Sequence, residues 1–246
     1  MHVIVVIPAY NESRTITEVI LGCKKYANEV IVVNDGSNDD TALYAHQAGA
    51  AVFTHMVNRG YGAALQTGIQ AALMRGAELI VTIDADGQHM PEEITKIIEP
   101  LKKGEADMVI GDRFGAQSKR EGMSFLRKIL ITAGNILTWI FYGIWLSDTQ
   151  SGFRAYSRNA LIKLIHSGES AFICDKGKRD DLRLSAIHSE GMEFSSEIIG
   201  EAARQGLRIA TVPITVCYTD YSLGKGQNFF GGIRTASRLL LRRILR

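Results

Sequence analysis

The chain has 246 residues, of which 46% are hydrophobic, and this composition is sufficient to bury one substantial core. A net charge of +2 excludes a protein whose whole surface attracts nucleic acid, so no nucleic-acid partner is expected. The three cysteines are too widely spaced to indicate a disulfide framework or a metal site, and no leader segment precedes the first apolar run. We therefore expect a protein of the reducing cytoplasm.

Short apolar runs alternate with helical patterns along the first half of the chain. Apolar and β-branched residues predict strands at 3–7, 30–33, 51–54, 79–83 and 107–110. Each of the first four runs is followed by a helical pattern, and Pro91 is placed to begin the fourth helix. This alternation favours an α/β fold with a mostly parallel, doubly wound sheet.

Polar side chains follow four of the predicted strands. They are Tyr10 with Glu12, Asp35, Asp84 with Asp86, and Arg113. Ligands of open α/β sheets bind beside the carboxyl ends of the strands, so these residues predict one binding site. Turn chemistry alone does not readily explain four such clusters at the same edge.

Asp84 and Asp86 are the strongest candidates for a metal site. An i, i+2 spacing in extended chain sends both carboxylates the same way, which is costly unless a cation lies between them. Oxygen ligands of this kind favour Mg²⁺ or Mn²⁺. Because the sequence has no glycine-rich phosphate loop, we expect such a cation to bind the diphosphate of a ligand. The alternative is a solvated, Asp-rich turn.

A basic stretch and one carboxylate follow the fifth strand. The basic residues are Arg113, Lys119, Arg120, Arg127 and Lys128. They predict phosphate binding, with a solvated loop as the alternative. Asp148 is the best-placed carboxylate for a general base or for orienting an acceptor, and its alternative is an Asx-turn or a cap.

The segment from Ile129 to Leu146 is uncharged over 18 residues and contains four aromatic residues. A membrane span would separate Arg127 from Asp148 by about 27 Å, although both are expected at one site. We therefore predict a bent helical hairpin or an interfacial helix, with a core helix or a dimer surface as the alternative.

Two further segments bear on the surroundings of the site. Residues 229–246 predict a basic amphipathic helix that binds a membrane surface, or an ordinary capping helix with a solvated Arg face. With the apolar segment, this helix indicates a peripheral protein on the inner face of the membrane. The stretch from Ser167 to Met192 is interpreted as a charged surface excursion without an assigned role.

Five motifs occur in an order that resembles glycosyltransferase family 2, of the dolichyl-phosphate mannose synthase type. They are Pro8-Ala9-Tyr10-Asn11-Glu12, Asn34-Asp35-Gly36-Ser37, Asp84-Ala85-Asp86-Gly87-Gln88-His89, Gly111-Asp112-Arg113-Phe114 and Asp148-Thr149-Gln150-Ser151-Gly152-Phe153-Arg154. The resemblance covers roughly residues 3–228. It implies a GT-A domain at 1–228, a divalent metal, a GDP-mannose or UDP-sugar donor, inversion, and a polyprenyl-phosphate acceptor.

The resemblance also implies a role for individual residues. It assigns the base and ribose contacts to Pro8, Tyr10, Glu12 and Asp35. It assigns the metal and diphosphate contacts to Asp84, Ala85, Asp86 and Gln88. The acceptor phosphate would face Arg113 and Arg127, while Lys225 would contact phosphates from a C-terminal loop. The catalytic assignments are Asp86, Asp148 and Arg113. One departure is Thr219, which stands where the mannose synthases carry an arginine.

Two other functions stay open on the sequence. One is a soluble glycosyltransferase that acts on a sugar hydroxyl, with Asp148 as its base. The other is a non-catalytic nucleotide-sugar binder, which the intact pair of Asp84 and Asp86 disfavours.

Overall fold

One seven-stranded sheet organises the protein, whose computed structural model describes residues 1–123, 125–166, 191, 193–219 and 221. The strands are β1 (Val3–Ala9), β2 (Glu29–Asn34), β3 (Ala51–Thr54), β4 (Leu79–Thr82), β5 (Met108–Asp112), β6 (Lys119–Glu121), β7 (Arg154–Ser157), β8 (Ile209–Pro213) and β9 (Thr215–Cys217). The main sheet has the order β3-β2-β1-β4-β7-β5-β8, and β6 pairs with β9 in a separate ribbon.

Seven helices accompany these strands in the described residues. They are α1 (Ile16–Cys23), α2 (Thr41–Gln47), α3 (Tyr61–Met74), α4 (Ile94–Lys102), α5 (Phe125–Tyr142), α6 (Arg158–His166) and α7 (Phe194–Arg204). A 3₁₀ turn at Pro91–Glu93 precedes α4, as the proline at its start allows. The predicted α/β fold with a mostly parallel sheet flanked by helices is confirmed.

The central strand β1 has a hydrophobic layer on each side. All seven of its residues are buried, which explains why its sequence is continuously apolar rather than alternating. Val5 packs in the cluster that contains Ile20 of α1, whereas Val6 packs in the cluster that contains Ile69 of α3. Successive side chains therefore serve opposite layers, and the strand ends are held rigidly beneath the polar loops.

The second half of the sheet departs from a simple repeat. β7 inserts between β4 and β5 and runs antiparallel to both, so β4 and β5 still point the same way. Two strands follow α7, and Ile214 separates β8 from β9. Pro213 ends β8 at the edge of the sheet, where its missing N–H removes no ladder bond.

Of the two forms expected at 129–146, the bent helical hairpin is wrong, because α5 is one unbroken helix that ends before Gly143. The interfacial helix stays a prediction. Its polar residues do not interrupt it: Thr132 bonds back to the carbonyl of Lys128, and Asn135 bonds to Ser147 beyond the helix. Within the described ranges, no helix has the length and apolar character required to cross a bilayer. The segments for which we predicted a basic helix (229–246) and, apart from Gly191, a charged surface excursion (167–192) lie outside the described residues.

We predict that Gly68→Ala lowers the free energy of unfolding. A Cβ at this position of α3 would lie 2.3 Å from Val6 Cγ1 and 3.1 Å from Val33 Cγ2. Helix propensity alone favours alanine by about 1 kcal/mol, but overpacking a core costs about 1–3 kcal/mol. Urea unfolding measures the sign of the net change.

Met74→Ala is the matched control, since Met74 lies on the same helix and its side chain is exposed. We expect its effect to stay within about 0.5 kcal/mol. A more stable Gly68→Ala protein would contradict the close approach of α3 to the sheet.

Candidate active site

Four strands bring polar residues to the same edge of the sheet. β2 and β4 pair in parallel with β1, and β5 has the same direction because both it and β4 are antiparallel to β7. The residues that follow these four strands, as the sequence predicted, are Tyr10 and Glu12, Asp35, Asp84 and Asp86, and Arg113. Their clustering follows directly from the shared strand direction.

Asp86 lies in an environment that opposes its charge. Burial raises the pKa of Asp86 to about 6, and the negative charges of Asp84 and Glu12 add to that effect. The backbone N–H of Gln88 donates to Asp86 Oδ1 at 3.0 Å, and the side-chain amide of Gln88 donates to Asp86 Oδ2. Glu12, Asp84 and Asp86 therefore share one electrostatic site.

Asp84 is supported by donors and positive charge. Burial raises its pKa, but hydrogen bonding and charge from His89, a bond from Tyr61 and the charge of Arg113 outweigh burial and lower it. The Tyr61 hydroxyl donates to Asp84 Oδ1 at 3.1 Å, and His89 Nε2 lies 3.4 Å from Asp84 Oδ2. Arg113 follows β5 at the same edge of the sheet as the carboxylate pair.

The carboxylate pair has the chemistry that a hard divalent cation requires. Among the described residues, no three His, Cys, Asp or Glu side chains form a metal-holding group. Two carboxylates with the amide of Gln88 suit a cation that is coordinated in addition by water and substrate phosphates. The mutual repulsion that raises the pKa of Asp86 is what such a cation would relieve. These residues fit Mg²⁺ or Mn²⁺.

Gly152 gives the Asp84 carboxylate its space. A Cβ on this glycine would lie 2.3 Å from both Asp84 Oδ1 and Oδ2. Nearby, Ser151 Oγ and His89 Nδ1 are buried and have no hydrogen-bond partner among the residues that the structure describes. At Gly152, the surface that faces Asp84 is thus backbone without a side chain.

Asp35 is buried and organises the loop that enters α3. Its carboxylate accepts the backbone N–H groups of Arg59 at 2.9 Å and Gly60 at 2.7 Å. His55 Nδ1 lies 2.7 Å from Asp35 Oδ1, and His55 Nε2 lies 3.0 Å from Thr67 Oγ1. Sequence reasoning missed His55, because a lone histidine after a strand gives no local signal of such a contact.

The remaining residues assigned to the donor differ in position. Pro8 lies inside β1 opposite Val33, so it is buried in the sheet rather than beyond its edge. The Tyr10 ring is exposed at the edge, while Glu12 is buried and accepts the Tyr221 hydroxyl at 3.0 Å. Ala85 is buried between the two aspartates, and it presents backbone rather than side chain.

Arg113 and Asp148 form a buried ion pair. Arg113 Nε lies 2.6 Å from Asp148 Oδ2 and Nη2 lies 2.7 Å from Oδ1, while the backbone N–H of Arg113 donates to Oδ2 at 3.1 Å. Burial lowers the pKa of Arg113, but the charge and hydrogen bonds of Asp148 outweigh it and raise that pKa. Sequence reasoning treated the two residues separately, and the structure joins them.

The described part of the structure gives no side-chain position for two residues that were predicted to bind phosphate. Arg127 belongs to the first turn of α5, but its side chain lies outside the described part of the structure. Lys225 lies wholly outside the described residues.

Residues 4–165 match the family model described as Glycosyl transferase family 2. The chain belongs to this family. It is 32% identical over 241 residues to undecaprenyl-phosphate mannosyltransferase of Micrococcus luteus, with 95% of this chain and 89% of that protein covered. It is 29% identical over 254 residues to a UDP-N-acetylglucosamine–dolichyl-phosphate N-acetylglucosaminyltransferase of Methanococcus voltae, with 96% and 94% covered.

A solved structure shares the fold of this family 2 glycosyltransferase. Glucosyl-3-phosphoglycerate synthase of Mycobacterium tuberculosis, crystallised with Mn²⁺, UDP and glucosyl-3-phosphoglycerate, superposes with a TM-score of 0.69 at 23% identity. The match covers 98% of this chain and 79% of the other. It confirms the GT-A fold, and the family match confirms the predicted resemblance and enzyme class.

We predict that Gly152→Ala weakens Mn²⁺ binding by at least about tenfold, since displacing a ligand by even part of an ångström removes more than about 1.4 kcal/mol. The added methyl group must push the Asp84 carboxylate aside. Electron paramagnetic resonance titration measures the free Mn²⁺, and circular dichroism monitors the fold.

Gly104→Asn is the control, because Gly104 has a left-handed backbone that asparagine tolerates and open space around it. Equal Mn²⁺ affinity in Gly152→Ala and the wild type would show that Asp84 takes no part in binding the cation.

Proposed function

We propose that this family 2 glycosyltransferase moves a sugar from a nucleotide-sugar donor to a polyprenyl phosphate, with inversion at the anomeric carbon. The observation that carries this proposal is that Arg113 and the pair of Asp84 and Asp86 follow strands that end at the same edge of the sheet. One site thus offers carboxylates for a cation that binds a diphosphate and a guanidinium for a second phosphate. Two relatives named for polyprenyl-phosphate and dolichyl-phosphate transfer support it.

The donor would lie across the ends of β1 and β2. We assign the base and ribose to Pro8, Tyr10, Glu12 and Asp35, with the exposed Tyr10 ring offering a stacking surface. The donor is GDP-mannose or a UDP-sugar. Thr219 replaces an arginine of the mannose synthases, and a relative and a structural neighbour are named with UDP, so UDP-sugars are the first donors to test.

The leaving diphosphate would be held at the carboxylate pair. Asp84, Asp86 and Gln88 would hold Mg²⁺ or Mn²⁺, and Ala85 would place its backbone beside them. When bound, such a cation supplies charge neutralisation for the departing nucleoside diphosphate. Tyr61 and His89 keep the Asp84 carboxylate oriented by their contacts with its two oxygens.

A phosphate acceptor brings its own nucleophile. The second pKa of a phosphate monoester is about 6, so the dianion needs cations to align it rather than a base to deprotonate it. We assign that alignment to Arg113 and Arg127. In Arg113, Nε and Nη2 bind Asp148, and Nη1 is directed towards the Tyr218 hydroxyl at 3.4 Å.

Asp148 is better suited to orient Arg113 than to act as a base. Its side chain has no exposed surface, and Arg113 engages both of its oxygens. A proton acceptor for a sugar hydroxyl would need a carboxylate oxygen facing the substrate. The alternative of a soluble transferase with Asp148 as base is therefore disfavoured.

The acceptor would be reached from a membrane surface. An outer face of α5, defined as Ile129, Ile136, Trp139 and Ile140, is exposed together with Trp145 beyond the helix end. Contiguous apolar side chains on a surface mark an interaction site, and tryptophan favours the membrane interface. We propose that this face lies in the cytoplasmic leaflet. The basic segment 229–246 would add attraction to anionic lipid.

We predict that membranes, Mn²⁺ and a radiolabelled nucleotide sugar yield a lipid-extractable product with polyprenyl phosphate and none with the matching polyprenol. EDTA or Asp86→Asn should lower this transfer by at least about a hundredfold, because both remove a main stabiliser of the leaving group. Solvent extraction and scintillation counting measure the product for GDP-mannose and each UDP-sugar.

Asp40→Asn provides a charge-matched control at the exposed start of α2, and it should retain full transfer. Equal use of polyprenol and polyprenyl phosphate, abolished in both cases by Asp148→Asn, would replace the proposal with base-catalysed transfer to a hydroxyl. Full activity in EDTA would overturn the assignment of the cation.

We predict that Trp139→Glu combined with Ile140→Glu weakens binding to anionic vesicles by at least about tenfold. Burying each large apolar side chain contributes about 1.5–3 kcal/mol, and the substitution removes that gain while adding repulsion. Vesicle flotation measures the bound fraction. Leu21→Glu is the control, since Leu21 is similarly exposed on α1. Wild-type protein that does not float with the vesicles would refute the proposal that this face of α5 binds a membrane.

A further inference from the structure

The inner side of α5 is polar where it meets the rest of the protein. Asn135 and Thr138 are both buried there, whereas the outer face of the same helix is apolar and exposed. A buried amide or hydroxyl is costly unless it is hydrogen-bonded, and such networks favour one specific geometry over others. The inward side of α5 is therefore suited to fixing the position of what it contacts.

Asn135 holds the chain on both sides of Asp148. Asn135 Nδ2 donates to the carbonyl of Ser147 at 2.6 Å, and Asn135 Oδ1 accepts the backbone N–H of Thr149 at 2.9 Å. The hydroxyl of Thr149 also donates to Asn135 Oδ1, at 2.9 Å. One amide side chain thus fixes the two neighbours of the carboxylate that binds Arg113.

The other end of the ion pair is fixed in a similar way. The Ser147 hydroxyl donates to Asp112 Oδ2 at 2.5 Å, and Asp112 Oδ1 accepts the backbone N–H of Phe114 at 2.7 Å. Asp112 and Phe114 are the chain neighbours of Arg113. A continuous set of hydrogen bonds therefore runs from Asn135 on α5 to both sides of Arg113.

We propose that Asn135 is a positioning residue that sets the orientation of Arg113 through Asp148. This role rests on the proposed function, and it links the helix that meets the lipid to the arginine that aligns the acceptor phosphate. The Asn135 side chain is buried, and its hydrogen bonds go to Ser147 and Thr149. Its removal should affect capture of the acceptor, because Asp35 and the donor-binding loops take no part in this set of bonds.

We predict that Asn135→Ala raises the apparent KM for polyprenyl phosphate by at least about tenfold while the KM for the nucleotide sugar stays within about twofold. Leaving a buried partner unbonded costs about 1–3 kcal/mol, and 1.4 kcal/mol is tenfold in affinity. Steady-state kinetics with each substrate varied measures the split. A merely structural role would lower the amount of active enzyme and leave both KM values unchanged.

Two matched variants make this test decisive. Thr132→Ala removes an exposed α5 hydroxyl that bonds only within its own helix, and it should leave both KM values within about twofold. Thr138→Val removes the hydroxyl that contacts Thr149 and Ser196, and it replaces Asn135→Ala if that variant fails to fold. Equal rises in both KM values, or a rise in neither, would overturn the positioning role.

A double-mutant cycle tests the same link without any assay of transfer. The double variant Asn135→Ala, Arg113→Lys should change the unfolding equilibrium constant by a certain factor. That factor should differ at least about threefold from the product of the factors measured for the two single variants. Thr132→Ala paired with Arg113→Lys should multiply within about twofold. Multiplicative behaviour of the first pair would overturn the link even in an active enzyme, whereas coupling in a chain that transfers nothing would refute only the proposed function.

Discussion

The buried ion pair between Arg113 and Asp148 is the interaction on which the architecture of this half of the protein depends. Removing two opposite charges from water costs several kcal/mol for each ion, and their attraction repays this cost only when the geometry is nearly ideal. The two residues lie 35 positions apart, so β5, α5 and the 147–152 loop must all be in place before the pair can form. The hydrogen bonds that surround it are therefore requirements of the pair rather than additions to it.

The loop that carries Asp148 is held from two directions. Asn135 binds it from α5, and Arg154 of β7 donates to the carbonyls of Thr149 and Ser151 at 2.8 Å. Arg154 also donates to the carbonyl of Ser195 in α7, at 3.0 Å. The same loop supplies Gly152 to the wall beside Asp84. Positive and negative halves of the site thus share one rigid support, which keeps their separation constant.

The carboxylate pair obeys the opposite electrostatic rule. Asp84 and Asp86 repel each other, and their partial burial strengthens that repulsion because less water screens it. A protein keeps such a pair only where a cation or a proton offsets it. Cation recognition and phosphate recognition in this site therefore differ in their electrostatics. The two carboxylates repel each other although Tyr61, Gln88 and His89 contact them, whereas Arg113 is paired with Asp148.

The local sequence determined the first five strands, their common carboxyl edge and the carboxylate pair, because each follows from residue periodicity within one element or from the alternation of strands and helices. Only the tertiary structure decided that Asp148 binds Arg113, that His55 contacts Asp35 and that α5 is a single helix. Those features depend on side chains that are distant in sequence and gain their interaction energy only after packing has removed them from water. Periodicity records which face of an element is buried, but it carries no information about which distant partner meets that face.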